Sequence, residues 1–131
     1  MRGAIVSEEN KAAIEAVREQ FPVLFNEGKF DELGKWFYSE DAVALPAGRD
    51  PIEGRDAICA YFSDLYDNGG LRFDLGVIQT HASTDTGYLV GTYIAHTSGN
   101  PSVPGVTHEA YRLQDDGTWK CTVDMWHNSV E

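Results

Sequence analysis

The sequence is poor in basic residues. Its 131 residues include 10 Lys and Arg against 21 Asp and Glu, which gives a formal net charge of −11. Nucleic acids and anionic membranes are bound through clustered cations, and so acidic a chain does not supply them. We therefore expect neither a nucleic acid nor a membrane as a partner, which leaves small molecules and other proteins.

Cysteines and long apolar runs are also scarce. Cys59 and Cys121 form no CxxC pair and are expected to be buried thiols in a reducing, cytoplasmic compartment. We expect no signal peptide, because the apolar stretch before Ser7 is short, and no membrane span, because no apolar run approaches the ~20 residues that cross a bilayer. With 42% hydrophobic residues the chain can build a core. We expect one domain over 1–131.

Helical spacing of apolar residues marks the first half of the chain. A long amphipathic helix is predicted over about 7–26, with Ser7 as its N-cap and a kink or break near Pro22. Two further helices and one short strand follow. They are a helix over about 30–37, a strand Ala42-Val43-Ala44-Leu45, and a helix that Gly54-Arg55-Asp56 opens and Asn68-Gly69-Gly70 ends.

The second half has the alternation and composition of strands. Four stretches rich in Val, Ile, Thr and Tyr are separated by turn signals, which predicts an antiparallel meander. Helices first and strands after indicate an α+β fold, with the helices on one face of a curved antiparallel sheet. The predicted strands cover about 71–83, 87–98, 105–115 and 118–128.

Two parts of the sequence carry distinctive motifs. The first is the stretch Phe37-Tyr38-Ser39-Glu40-Asp41-Ala42-Val43-Ala44-Leu45-Pro46, followed by Pro51-Ile52-Glu53-Gly54-Arg55-Asp56-Ala57-Ile58, and the second runs from Asp115 to Lys120 and from Asp124 to Asn128. The first resembles the "YADDAxxxxP…PIxGRxAI" pattern of the nuclear transport factor two-like superfamily, and the second resembles that superfamily's "DGxWK…DxW" last strand. The resemblance implies a cone-like sheet wrapped around three helices, a pocket at the open end, and usually a homodimer.

The same resemblance specifies a fold more closely than an activity. The superfamily contains ketosteroid isomerases, SnoaL-like polyketide cyclases, dehydratases and proteins with no known reaction. The isomerase's general base corresponds to Leu45 and its oxyanion tyrosine to Phe21, and neither can take that role. Its second oxyanion group corresponds to Glu109 and its pocket tyrosine to Tyr38. Steroid isomerisation by that mechanism is therefore not expected.

The last hairpin places two carboxylates opposite each other. With Asp116-Gly117 at the centre of the turn, residue 115 pairs with 118 and Glu109 faces Asp124. Like charges opposed on a sheet are destabilising. If both are buried, one keeps its proton to high pH, as acid/base chemistry requires. Simple alternation along the strand instead favours a solvated face for Asp124. It places Cys121, Val123 and Met125 together on an apolar face and Asp124 on the opposite, polar face. The resemblance favours the pocket, since it directs Trp126 towards it.

Histidines and aromatic residues complete the candidate site. His96 is a third catalytic candidate, because it could face Glu109 from the neighbouring strand, although an edge or dimer-face position is the alternative. His108 and His127 are expected to face outward, and no metal or cofactor is expected. The candidate substrate-binding residues, which could equally form the core, are Phe21, Phe25, Tyr38, Leu45, Tyr61, Tyr93, Tyr111, Trp126 and Asn128.

Two classes of function remain open. One is a cofactor-independent isomerase, cyclase or dehydratase acting on a small, apolar, carbonyl-bearing molecule, with Glu109 and Asp124 as proton donor and acceptor. The other is a non-catalytic binding or accessory module in which the same pocket holds a ligand. In both cases we expect a homodimer through the outward sheet face, where Val123 and Met125 form an apolar line.

Overall fold

Three helices and six strands make up the protein in a computed structural model that describes residues 2–129. None of these helices combines the length and the apolar character that crossing a bilayer requires. The elements are α1 (Arg2–Asn26), α2 (Phe30–Phe37), β1 (Tyr38–Pro46), β2 (Ile52–Glu53), α3 (Arg55–Gly69), β3 (Arg72–Ala82), β4 (Thr86–His96), β5 (Val103–Leu113) and β6 (Trp119–Asn128).

The strands form one curved, open sheet in the order β2-β1-β6-β5-β4-β3. Strands β3 to β6 are the predicted antiparallel meander, and the α+β class is confirmed. The sheet is mixed, however, because β1 runs parallel to β6. A parallel pair needs a long connection, and α3 with the meander supplies one. The two-residue strand β2, which pairs with β1, was not predicted.

The three helices cover one face of the sheet, which we call the inner face. Helix α1 packs against β3, β4 and β6, while α2 and α3 pack against β1. Buried aromatic and aliphatic side chains fill the space between the layers, including Ile14, Phe21 and Phe25 of α1. Among residues 2–129, no helix covers the opposite, outer face of the sheet.

Helix α1 differs from its prediction at its start, and of the two outcomes expected at Pro22 the break does not occur. It begins at Arg2, so Ser7 is not its N-cap, and the Ser7 hydroxyl donates instead to the carbonyl of Ala82 at 2.7 Å. The helix also continues through Pro22 without a break. Burial of Phe21 and Phe25 in the core holds the segment helical despite the missing backbone donor.

The turn between β5 and β6 is one residue longer than predicted. Gln114 and Thr118 close the loop, with the Gln114 amide donating to the Thr118 carbonyl at 2.8 Å. The expected pairing of 115 with 118 is therefore wrong. A bulge at Thr122 then restores the register, so Glu109 does pair with Asp124 as predicted.

This bulge also changes which residues share a face. Cys121 and Asp124 both lie on the buried inner side, whereas Met125 is exposed on the outer side. The grouping of Cys121 with Val123 and Met125 by simple alternation is therefore wrong, because the extra residue reverses the alternation in the middle of the strand.

Candidate functional site

A cavity of about 170 Å³ lies between the helices and the inner face of the sheet. Its walls are mainly apolar and include Leu71, Phe73, Leu75, Ala95, Phe62 and Trp126. Four buried polar residues, Arg18, Thr107, Glu109 and Asp124, also line it. An apolar cavity with a few convergent polar groups is the usual form of a small-molecule site.

Glu109 is paired with a buried cation. The Nε of Arg18 lies 2.9 and 3.0 Å from the two carboxylate oxygens, and the Tyr111 hydroxyl donates to one of them. Arg18 also donates to the carbonyl of Gly76 at 2.8 Å and to Oγ1 of Thr107 at 3.1 Å. The charge of Glu109 is thus balanced locally, and its oxygens are already hydrogen-bonded.

The guanidinium of Arg18 fits against the sheet because residue 91 is a glycine. A Cβ at Gly91 would overlap the guanidinium and lie 2.6 Å from the carbonyl of Gly76. A larger residue there would displace Arg18 from Glu109. Gly91 therefore provides the space that the ion pair needs.

Asp124 is in a different electrostatic position. Its Oδ2 accepts a hydrogen bond from the Tyr38 hydroxyl at 2.6 Å, and no other partner of the carboxyl is found among residues 2–129. Burial raises the pKa of Asp124 from its ordinary value of 3.8 to about 7, and the negative charge of Glu109 adds to the rise. Asp124 is therefore a cavity-lining acid that gains or loses a proton near neutral pH.

Two predicted binding residues stand behind these carboxyls rather than in the cavity wall. Tyr38 donates to Asp124 and Tyr111 donates to Glu109. Burial raises the pKa of both phenols well above 10.0, so they remain neutral donors. Both tyrosines are therefore placed to orient the carboxyls. The prediction that they contact a substrate does not agree with this position.

Four of the predicted binding residues do line the cavity: Phe21, Tyr93, Trp126 and Asn128. The Tyr93 hydroxyl donates to Oδ1 of Asn128 at 2.7 Å, which links strands β4 and β6 across β5. Their contact with a ligand stays a prediction.

Three other predicted binding residues lie outside the cavity wall. Phe25 is in the aromatic core, with its ring centroid 4.8 Å from that of Phe73. Tyr61 packs under Arg49, whose guanidinium lies 4.6 Å from the ring centroid. Leu45 is paired with Met125 on the outer side of the sheet. Helical or strand spacing places these side chains near the core but does not say which of them reach a cavity.

Of the two positions that the sequence left open for His96, the one facing Glu109 is wrong. Leu89 is the residue of β4 that pairs with Glu109, and His96 lies at the far end of that strand. On the outer face, Nε2 of His96 is 2.8 Å from Asp74 and Nδ1 is 2.7 Å from the Ser102 hydroxyl. The length of the loop before β5 sets this register, and the sequence left it open.

His108 and His127 face outward as predicted, with their ring centroids 6.3 Å apart. Across the described residues 2–129, no three His, Cys, Asp or Glu side chains are placed to hold a metal ion.

Arg18 and Thr107 are the functional candidates that the sequence analysis missed. Arg18 follows Ile14 by four residues and precedes Phe21 by three, so it lies on the buried stripe of α1. A charged residue on an apolar stripe is a signal that could have found it. Thr107 gives no comparable signal, because a threonine in a strand is ordinary.

Comparison with known proteins agrees with this architecture. Residues 17–121 match the family model of the SnoaL-like domain. The chain therefore belongs to the SnoaL-like family, within the NTF2-like superfamily. No curated protein matches the sequence.

Solved structures show the same fold at low sequence identity. An NTF2-like protein of unknown function from Pseudomonas putida superposes with a TM-score of 0.82 at 18% identity, covering 95% of this chain and 90% of that one. A ketosteroid isomerase-like protein from Erwinia carotovora atroseptica gives 0.75 at 16%, with 94% and 98% covered. A candidate dehydratase of the NTF2-like family from Streptomyces avermitilis gives 0.80 at 15%, with 95% and 99% covered.

Proposed function

We propose that this protein is a cofactor-independent acid/base enzyme for a small, largely apolar carbonyl compound, and that Asp124 carries the proton. The observation behind the proposal is a buried carboxyl with a pKa of about 7 on the wall of an apolar cavity. A general base works best when its pKa lies near the working pH. Isomerases, cyclases and dehydratases all use such a proton transfer.

The proposed step begins with ionised Asp124 beside a carbon next to the ligand's carbonyl group. The carboxylate takes a proton from that carbon, and the C–H electron pair forms a carbon–carbon double bond. The carbonyl π pair moves onto oxygen, which becomes an enolate. Asp124, now neutral, returns its proton to a carbon of the same conjugated system, so the enzyme ends in its starting state.

In this proposal Glu109 does not donate or accept the proton, which is the role that the sequence predicted for it. Both of its oxygens are within 3.0 Å of the Arg18 Nε, so it is not free to exchange a proton with a ligand. Its negative charge instead raises the pKa of Asp124 and makes that carboxylate a stronger base. Glu109 is thus a positioning and electrostatic residue, and Asp124 performs both proton transfers.

Hydrogen exchange on a simple ketone tests the proposal before any natural substrate is known. Cyclohexanone is incubated with the protein in heavy water at pH 8, and loss of its α-hydrogen signals is followed by proton NMR. We expect exchange above the buffer rate, and we expect Asp124→Asn to remove it. Asp74→Asn, a matched change on the outer face, should leave it intact. Equal exchange rates for Asp124→Asn and wild type would contradict the proposal.

A binding or accessory role is the second candidate. It is favoured by Phe21 and Leu45, which lack the hydroxyl and the carboxylate that the ketosteroid isomerase pattern places there. In that case cyclohexanone binds, with a change in fluorescence that Trp126→Phe removes, and its hydrogens do not exchange. The two measurements together separate an enzyme from a carrier.

A further inference from the structure

We infer that Thr107 supplies the hydrogen bond to the negatively charged oxygen that forms when Asp124 removes a proton. The inference rests on the proposed function and assigns a second catalytic residue to the same cavity. It starts from the hydrogen-bonding of one buried hydroxyl group.

The Thr107 side chain lines the cavity and is only 7% exposed. Its Oγ1 accepts a hydrogen bond from Nη2 of Arg18 at 3.1 Å. A hydroxyl group also has one hydrogen to donate, and among residues 2–129 this hydrogen has no acceptor. Buried donors without a partner are uncommon, so a group in the cavity is the natural acceptor.

Thr107 is also on the correct side of Asp124. Thr107 pairs with Trp126 and Glu109 pairs with Asp124, so Thr107 and Asp124 are diagonal neighbours on the inner face. Such neighbours are roughly 7 Å apart between Cα atoms, with their side chains closer. A carbonyl oxygen can therefore meet the Thr107 hydroxyl while the adjacent carbon meets Asp124.

Arg18 makes this hydroxyl a better donor than a threonine in water. Because the guanidinium donates to Oγ1, it polarises the O–H bond in the direction of the cavity, and hydrogen bonds in a chain strengthen one another. The ketosteroid isomerase pattern places its oxyanion tyrosine at Phe21, which has no hydroxyl. The pair of Arg18 and Thr107 provides a donor by another route.

A phenol that ionises near neutral pH measures such a donor directly. We choose 4-nitrophenol, because its anion absorbs visible light and because a cavity of about 150 Å³ already accommodates a benzene ring. The experiment uses Asp124→Asn protein, in which residue 124 cannot take or give a proton. The pKa of the bound phenol is then compared with and without Thr107→Val.

Loss of the Thr107 hydroxyl should raise the pKa of the bound phenol by about one unit, a tenfold change in its ionisation. Thr107→Ser should restore the original value, because it keeps the hydroxyl. Thr92→Val, the same change on the outer face of β4, should have no effect. An unchanged pKa in Thr107→Val would overturn the inference, and so would a failure of the Asp124→Asn protein to bind the phenol.

The exchange reaction distinguishes this inference from the proposed function. Thr107→Val should lower kcat about tenfold with little change in KM, since the oxyanion exists only during the reaction. If the Asp124→Asn protein exchanges the ketone hydrogens as fast as wild type, the proposed function fails. If the pKa of the bound phenol still changes with Thr107→Val, the assignment of Thr107 as a hydrogen-bond donor holds nonetheless. If exchange depends on Asp124 and neither readout responds to Thr107, the function stands and this inference fails.

Discussion

The two faces of the same sheet each carry a contact between a basic and an acidic side chain, and the two contacts have almost the same length. On the inner face Arg18 lies 2.9 Å from Glu109, and on the outer face His96 lies 2.8 Å from Asp74. The side chains of the first pair are both 4% exposed, whereas those of the second are 42% and 75% exposed. We therefore expect burial, and not distance, to decide how much such a pair contributes to stability.

The largest effect is expected from breaking the inner pair. Arg18→Met leaves the Glu109 charge buried without its cation, which should destabilise the fold by about 3–5 kcal/mol. His96→Ala should cost less than about 1 kcal/mol, because water screens the outer pair. Urea unfolding of both variants measures the difference. If both variants lose a similar free energy of unfolding, burial does not decide the contribution of the pair. The double variant Arg18→Met with Glu109→Gln should recover part of the stability that Arg18→Met loses.

The second largest effect on stability is expected from Asp124, whose carboxyl lies beside the pair of Arg18 and Glu109. The pKa of Asp124 is raised in the folded protein from 3.8 to about 7, so the folded state holds a proton that the unfolded state releases. Below about pH 4 Asp124 is protonated in both the folded and the unfolded state, so it does not lower the stability of the fold. Between about pH 4 and 7 the unfolded state ionises first, and stability falls as the pH rises.

Asp124→Asn removes this dependence. The variant should be more stable than wild type by about 1–3 kcal/mol at pH 8 and no more stable at pH 4. The asparagine can still accept the hydrogen bond from Tyr38, so the gain reflects the removed charge. Thermal melts at the two pH values measure it. A constant difference between the proteins at both pH values would show that Asp124 does not titrate with a raised pKa.

The smallest change in folding stability is expected on the outer face, where we propose that a second copy of the chain binds. Ile94 and Met125 are exposed on this face. The chain has a net charge of −11, yet Asp74 is the single acidic residue that β3 to β6 present on this side. Two such acidic chains repel each other elsewhere. Met125→Glu should change folding by less than about 0.5 kcal/mol but should yield monomers. Sedimentation that shows monomeric wild type at micromolar concentration would contradict the dimer.

Much of the fold could be read from local patterns. Helical spacing predicted α2 with its observed bounds, Phe30–Phe37, and turn signals marked the hairpins of the meander. The motifs around Tyr38 and Asp124 indicated the family that the fold and the SnoaL-like match then showed. These features follow from interactions between residues close in sequence, or from patterns shared with relatives.

The pairing of Glu109 with Asp124 was predicted correctly from a turn that was placed wrongly. The longer turn moved the register by one residue, and the bulge at Thr122 moved it back. Nothing in the composition of β6 marks that bulge, because its position depends on how β6 fits between β5 and β1.

Local spacing and composition were sufficient to predict that three helices precede an antiparallel meander, since both depend on residues close together in the chain. Which groups meet in the cavity depends instead on contacts between residues far apart in the chain. Arg18 and Glu109 are 91 positions apart in the chain, and no local pattern specifies that they touch. Glu109 and Asp124 are equally buried, but the guanidinium contacts Glu109 and not Asp124, so burial and the charge of Glu109 raise the pKa of Asp124.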